Sequence, residues 1–240
     1  MKMAEAESIG GQIAKLVKAG QLERGYALLA PVLAEKTPFP ALERIGKTVV
    51  EGSLEKVNQF LEIIAAKQTM GGWVVIGGAL RAQLDHDLDG AFQRACENMI
   101  AADVWYGADI LGERVPGPGL VTHFEVATLL LQPWRNHPNR WVRRAVGVAV
   151  HFWAKRSKGN PDLDTQAASL LNLLEPMFSE WEMDAVKGVG WGLKTLGRYY
   201  PELMVDWLPK QTHRKHRAII LNKAMKFLSE EQKLRVKRDV

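Results

Sequence analysis

Hydrophobic residues recur at spacings of three and four along almost the whole chain, while the two-residue alternation typical of β-strands is scarce. One clear example has apolar positions at Leu54, Val57, Leu61, Ile64 and Ala65. This spacing gathers apolar side chains on one face of a helix. The pattern predicts an almost entirely helical protein with about a dozen helices of roughly 10 to 18 residues.

Glycine, proline and small polar residues interrupt this pattern at intervals and predict the connecting loops. The predicted breaks lie at Gly20, 36–40, 51–53, 70–72, 116–119, 136–139, 159–161, Ser179, 200–201 and 209–212. The run Pro116-Gly117-Pro118-Gly119 is among them and predicts a loop. Short polar side chains after such breaks favour helix N-caps at Ser53, Asp103, Asp162 and Ser229.

The second half of the chain repeats itself weakly. A cation, a small residue and a β-branched residue recur at 144–147, 187–190 and 217–220, at spacings of 43 and 30. The first spacing lies in the range of HEAT-like helix pairs, and the shorter one suits a terminal unit. Stacked pairs would place the leading cations on one concave face. We therefore expect an all-α, HEAT-like helical superhelix with a concave basic groove, as one domain over residues 1–240; the alternative is an irregular helical bundle.

Charge is distributed unevenly along the chain. Residues 1–130 hold 12 Lys and Arg against 16 Asp and Glu, whereas residues 131–240 hold 20 against 11. A basic half of this kind is expected of a protein that binds a polyanion, although basic termini also occur without any nucleic-acid role. The charge pattern therefore favours DNA or RNA as a partner without deciding it.

Several observations bear on location and on the state of the cysteine. No run of 18 or more apolar residues is uninterrupted, and the N-terminus lacks the basic and apolar blocks of a signal peptide. We expect a cytoplasmic protein without membrane contact. The single cysteine, Cys96, cannot form an internal disulfide and occupies an apolar helical position, so it is expected to be a small buried hydrophobic residue.

Two segments resemble metal sites but are better explained otherwise. Residues 85–90 match the first half of an EF-hand loop, yet Cys96 stands where the bidentate glutamate is needed, so an acidic capping turn is favoured. His213 and His216 share a helical spacing, but neighbouring lysines and arginines would repel a metal ion. A phosphate-contacting or simply solvated basic segment fits them better. The paired glycines at 71–72 and 77–78 lack dinucleotide-binding spacing and indicate close helix packing.

Most of the eight tryptophans are expected in the core, as for Trp73 and Trp207. Two have a polar residue about one turn later: Trp105 precedes Asp109, and Trp191 precedes Lys194. Helical residues three or four apart share a face. A core position would explain either tryptophan alone, and an aromatic at the edge of a groove would explain both.

Three segments in order resemble the active-site signature of the AlkD-type DNA alkylation-repair glycosylases. They are Trp105-x-x-x-Asp109, then Trp141-Val142-Arg143-Arg144-Ala145, then Lys187-Gly188-Val189-Gly190-Trp191-Gly192-Leu193-Lys194. The resemblance is strongest over about residues 100–225 and includes 216–219, which are similar to the family's final basic helix. The family is a HEAT-like superhelix. Where it usually has an arginine one turn after the second tryptophan, this chain has Lys194.

The resemblance implies excision of cationic N-alkylated purines, such as 3-methyladenine and 7-methylguanine, from duplex DNA without metal or other cofactor. A groove that must enclose a duplex favours a monomer. It implies that Asp109 stabilises an oxocarbenium-like sugar and orients the attacking water, while Trp105 and Trp191 pack on the deoxyribose. Arg144 and Lys194 would hold phosphates beside the lesion. The residues that would extend this contact along the backbone are Arg143, Lys187, Arg214, Lys215 and Arg217. The alternatives are a non-catalytic HEAT-like module that binds DNA or RNA, or a protein-interaction scaffold.

Overall fold

The computed structural model describes residues 1–238, and all of its regular structure is helical within that range. Two compact units make up the chain, Met1–Val115 and Pro116–Val240. The first holds α1 (Met3–Lys18), α2 (Leu22–Ala34), α3 (Phe39–Val49), α4 (Leu54–Ala65), α5 (Met70–Gln83), α6 (Leu88–Ala102) and α7 (Trp105–Arg114). The second holds α8 (Pro116–Thr122), α9 (Phe124–Leu131), α10 (Arg140–Ser157), α11 (Asp164–Leu174), α12 (Met183–Tyr199), α13 (Pro201–Trp207), α14 (Pro209–Thr212), α15 (Ala218–Ala224) and α16 (Glu230–Arg238).

Alternate helices of the first unit form two layers. Helices α1, α3, α5 and α7 pack in succession, and α2, α4 and α6 pack in a second row. The crossing of α3 and α5 is close because glycines lie at it: a Cβ atom on Gly78 would stand 2.6 Å from the carbonyl oxygen of Glu43. The close helix packing predicted for the paired glycines is confirmed, and Trp73 is buried on α5 as predicted.

The second unit repeats the same two-layer arrangement. Helices α8, α10, α12 and α15 pack in succession, while α9, α11, α13 and α16 form the other row. Arg144 lies against Gly188 and His151 lies against Thr195. Both contacts join residues 44 apart in the chain, which shows that α10 and α12 run parallel. This offset is close to the spacing of the weak sequence repeat. The all-α, HEAT-like fold class is confirmed, while the single domain, the superhelical course and the concave groove stay predictions.

Helix starts were predicted correctly at two of the four proposed N-caps. The Ser53 hydroxyl accepts the amide hydrogen of Lys56, and the Ser229 hydroxyl accepts that of Gln232. The prediction for Asp103 is wrong, because this residue ends α6 with a left-handed backbone, φ 42°. The prediction for Asp162 is also wrong: its own amide is capped by the side chain of Asn160.

The predicted loop at residues 116–119 is likewise wrong, because these residues begin α8 and are all buried. Proline is tolerated in a first helical turn, where amide hydrogens lack helical partners anyway. The glycine between the two prolines allows a close approach, since a Cβ atom on Gly117 would lie 2.7 Å from the Cβ atom of Phe152. Packing against α10 therefore decides the conformation of this segment.

Candidate nucleic-acid interface

Trp105 and Asp109 lie one turn apart on α7, which begins at Trp105. The Trp105 side chain is 55% exposed and meets the ring of Tyr106 edge-on, with centroids 5.7 Å apart. Asp109 is half-buried. Between them, Gly107 leaves room for the preceding helix, because a Cβ atom there would stand 2.7 Å from the Cβ atom of Ala102. Trp105 and Asp109 thus lie one turn apart on a helix, as the sequence predicts, and the indole is exposed at the surface.

Arg144 is buried against the neighbouring helix rather than extended into solvent, with 7% of its surface exposed. Its Nη1 donates to the carbonyl oxygen of Asp184, 3.1 Å away, at the start of α12. Gly188 makes this position possible, since a Cβ atom there would lie 2.7 Å from the Cγ atom of Arg144. The guanidinium is therefore held in place by the backbone that carries Lys187.

Trp191 is half-buried on α12 and stacks on His151 of α10, with ring centroids 4.0 Å apart and an interplanar angle of 25°. The Thr195 hydroxyl donates to the carbonyl oxygen of Trp191 and lies 2.7 Å from the Nδ1 atom of His151. Because a hydroxyl has one hydrogen to donate, this oxygen accepts the second bond from the Nδ1 hydrogen. The neutral imidazole then keeps its lone pair on Nε2.

Burial lowers the pKa of His151 to about 4, and the nearby charges of Lys155, Lys194 and Arg156 contribute in the same direction. The ring is therefore neutral at neutral pH. A neutral imidazole stacks on the Trp191 indole without adding a further cation to the basic surroundings.

Lys223 on α15 lies close to several of the cations that the sequence predicts as phosphate ligands. Burial lowers the pKa of Lys223 on α15, and positive neighbours lower it further. Those neighbours are Lys194, Arg144, Lys187 and Lys226. The structure thus brings together three predicted phosphate ligands around a lysine that the sequence did not single out. We call Arg144, Lys187, Lys194 and Lys223 the basic cluster.

Arg143, the neighbour of Arg144, makes a different set of contacts. Its Nε donates to Glu180 at 2.7 Å, and its Nη1 donates to the carbonyl oxygens of His137 and Pro138 at 2.7 and 3.0 Å. The other carboxylate oxygen of Glu180 accepts the amide hydrogens of Trp181 and Glu182 at the entrance to α12. Arg143 therefore fixes the backbone that carries the exposed Trp181, and its predicted contact with phosphate stays a prediction.

The basic segment before α15 contains the remaining predicted DNA ligands. Arg214 pairs with Glu175, whereas Lys215 and Arg217 lie over the ring of Trp181, at 5.2 and 5.1 Å from its centroid. Trp181 is 45% exposed. Lys215 and Arg217 therefore lie against an exposed aromatic side chain whose backbone amide donates to Glu180.

The segments that resemble metal sites have ordinary structural roles. Asp87 caps α6 through the amide of Gly90 and pairs with Arg94, as an acidic capping turn should. His216 is bonded to the carbonyl of Arg214 and packs on Phe178. Within residues 1–238, no three His, Cys, Asp or Glu side chains are grouped as metal ligands.

Cys96 is half-buried rather than fully buried, and desolvation raises the pKa of its thiol to about 11. Trp207 is buried, as predicted. Across the described part of the chain, no helix combines the length and apolar character needed to span a bilayer.

Sequence reasoning missed His151, Trp181 and Lys223. One of them had a readable signal, because His151 follows Arg144 by seven residues and so shares its face of α10. The other two depend on contacts between distant segments, which the local pattern does not contain.

A family model described as DNA alkylation repair enzyme matches residues 53–228, well over half of the chain. The chain belongs to this family, and its role is in DNA alkylation repair with DNA as substrate. Neither the curated proteins nor the solved structures include a significant match to it. The match covers α4 to α15 and so includes every residue of the basic cluster, together with Trp105, Asp109 and Trp191.

Proposed function

We propose that this protein is a DNA glycosylase that removes cationic N-alkylated purines, of the 3-methyladenine and 7-methylguanine type, from duplex DNA. The observation that carries the proposal is the pair on α7: an indole more than half exposed, one turn before a carboxylate, inside the segment that matches the repair family. A ligand that covers the indole would gain hydrophobic stabilisation from the area it removes from water.

The chemistry requires little from the protein because the substrate base is already positively charged. The bond between C1′ and the purine nitrogen breaks, and its electron pair leaves with the base, which becomes neutral. Positive charge then develops on the sugar, where the Asp109 carboxylate stabilises it, with aromatic faces of Trp105 and Trp191 against the deoxyribose. Water adds to C1′ and loses a proton, which leaves an abasic site.

The basic cluster supplies the contact with the DNA backbone. Burial lowers the pKa of Lys223, and the charges of Lys194, Arg144 and Lys187 lower it further, so the four cations form a region of positive potential that phosphates would neutralise. Within the cluster, the Lys187 ammonium lies 3.9 Å from the carboxylate of Asp184.

A non-catalytic DNA-binding protein is the second candidate, favoured by Lys194, which lacks the planar fork that binds phosphate in two places. An excision assay separates the two. The protein is incubated with methylated duplex DNA, and released bases and abasic sites are counted for the wild type, Asp109→Asn and the control Glu113→Gln, one turn further along α7. Excision by the wild type and Glu113→Gln, but not by Asp109→Asn, supports the glycosylase. Tight, salt-sensitive binding without any abasic sites would select the binding protein.

A further inference from the structure

A small cavity of about 190 Å³ lies beside the stacked pair of His151 and Trp191. Its cationic lining residues are Lys155 at the end of α10 and Lys194 and Arg198 on α12. No carboxylate lines it among the described residues. The cavity is smaller than the roughly 300 to 1,000 Å³ of sites for whole small molecules, so it suits one anionic group rather than a nucleobase.

The cations of this cavity are available to a ligand. Within residues 1–238, none of Lys155, Lys194 and Arg198 forms an ion pair with a carboxylate. Lys194 and Arg198 are four residues apart and therefore share one face of α12. Three unpaired cations around one cavity repel each other, and an anion would remove that repulsion.

The cavity is also preorganised. The Arg198 guanidinium lies over the rings of Tyr199 and Phe227, with 5.5 and 5.2 Å to their centroids, which holds it without neutralising its charge. His151 is fixed by Thr195 and by stacking, and its neutral ring leaves the charge of the cavity to the three cations. A guanidinium fork and two ammonium groups match the oxygens of a phosphate.

We propose that this cavity is a phosphate-binding pocket, in which Lys155, Lys194 and Arg198 hold one phosphate group of the DNA strand. This inference adds a phosphate site to the proposed function. It rests on that function, because the phosphate is taken to come from the DNA strand. The pocket places that phosphate next to the Trp191 indole, and so ties the position of the backbone to an aromatic ring proposed to pack on the sugar.

The first test uses inorganic phosphate and the ring signals of the histidines in a two-dimensional NMR spectrum, with His151 assigned by His151→Gln. Phosphate should shift the His151 signal in the wild type but not in Lys155→Gln/Arg198→Gln. Lys158→Gln, an exposed lysine just beyond the end of α10, is the matched control and should behave as the wild type does. An unmoved His151 signal in the wild type, or a control that loses the shift, overturns the pocket.

The second test identifies the source of the phosphate with an undamaged duplex. Binding is measured over a range of NaCl concentrations. The slope of log K against log salt concentration should be smaller in magnitude by about 0.9 in the double variant than in the wild type, which corresponds to the loss of one phosphate contact. Equal affinity for duplexes with 5′-phosphate and 5′-hydroxyl ends supports a backbone phosphate, whereas a preference for the 5′-phosphate, or an unchanged slope, overturns it. Neither measurement involves excision, so a protein that binds but does not excise would refute the proposed glycosylase and leave the pocket intact.

Discussion

The imidazole of His151 stacks on the indole of Trp191, with 4.0 Å between their centroids and 25° between their planes. This contact joins α10 to α12 at the level where the proposed phosphate pocket opens. The stack depends on the imidazole being neutral, because a charged ring in this buried position would also face Lys155, Arg156 and Lys194. The charge state of His151 is therefore linked to the stability of the second unit.

Stability should fall in mildly acidic solution because of His151. Its pKa in the folded protein is about 4, below the ordinary 6.5, so the unfolded chain takes up the proton first as the pH falls. The contribution is complete above pH 6.5 and is lost between pH 6.5 and 4. Denaturant unfolding at several pH values should therefore show a steeper loss for the wild type than for His151→Gln. Identical pH profiles for the wild type and His151→Gln would show that His151 does not titrate in this way. His213→Gln changes an exposed histidine and is the control, which should follow the wild-type profile.

Replacement of Gly147 by alanine should disrupt the contact between α10 and α12. A Cβ atom at this position would overlap the backbone carbonyl of Gly188, which no rotamer change can relieve. We expect a loss of about 3 kcal/mol in the free energy of unfolding, measured by chemical denaturation. Gly11→Ala is the matched control, since nothing lies within 4 Å of a Cβ atom there, and it should gain roughly 1 kcal/mol. Equal effects of the two substitutions would contradict the close crossing.

Glu180→Ala should destabilise the protein and release Trp181. The substitution removes the carboxylate that pairs with half-buried Arg143 and accepts two backbone amides, so the cost should be about 3 kcal/mol. The emission of Trp181, identified by comparison with Trp181→Phe, should shift and become easier to quench. Glu7→Ala removes one partner of an exposed pair and should change neither quantity. A Glu180→Ala variant as stable as the wild type would refute the role of Arg143 as a structural tie.

Lys223→Met separates DNA binding from stability. The methionine keeps the contact of the aliphatic stem with Gly190, and it removes both a charge that is repelled by its neighbours and one exposed hydrogen bond, 3.3 Å long, from Nζ to the carbonyl oxygen of Lys187. DNA binding should weaken and its salt slope should fall by about 1. The free energy of unfolding should change by less than about 1 kcal/mol, because the relief of repulsion offsets the lost hydrogen bond. Lys36→Met changes an exposed lysine of the first unit and provides the control. An unchanged salt slope in Lys223→Met would remove this lysine from the DNA interface.

The sequence was sufficient for those features that depend on neighbours along the chain. Helical periodicity predicts the fold class, and the one-turn spacing of Trp105 and Asp109 predicts their shared side of α7, because helix geometry is local. The spacing of the weak repeat agrees with the offset at which α10 and α12 pack. This is expected when each repeat is a pair of helices, because the first helices of successive pairs then pack side by side.

Features decided by contacts between distant segments could not be predicted in this way. Arg143 and Arg144 are adjacent in sequence, yet one is committed to Glu180 and the other to the start of α12. Their separate roles depend on partners 37 and 40 residues away. In the same way, burial against Phe152 makes a helix of Pro116 to Gly119, which local rules assign to a loop.

The central claim, that Asp109 stabilises the sugar cation, is tested most directly by single-turnover excision from a duplex with one 7-methylguanine and saturating enzyme. Asp109→Asn keeps the size and most of the hydrogen bonding of the side chain but removes its charge. Excision should slow by about 10²-fold or more, with duplex affinity within about twofold of the wild type. Excision by Asp109→Asn at the wild-type rate would contradict the account.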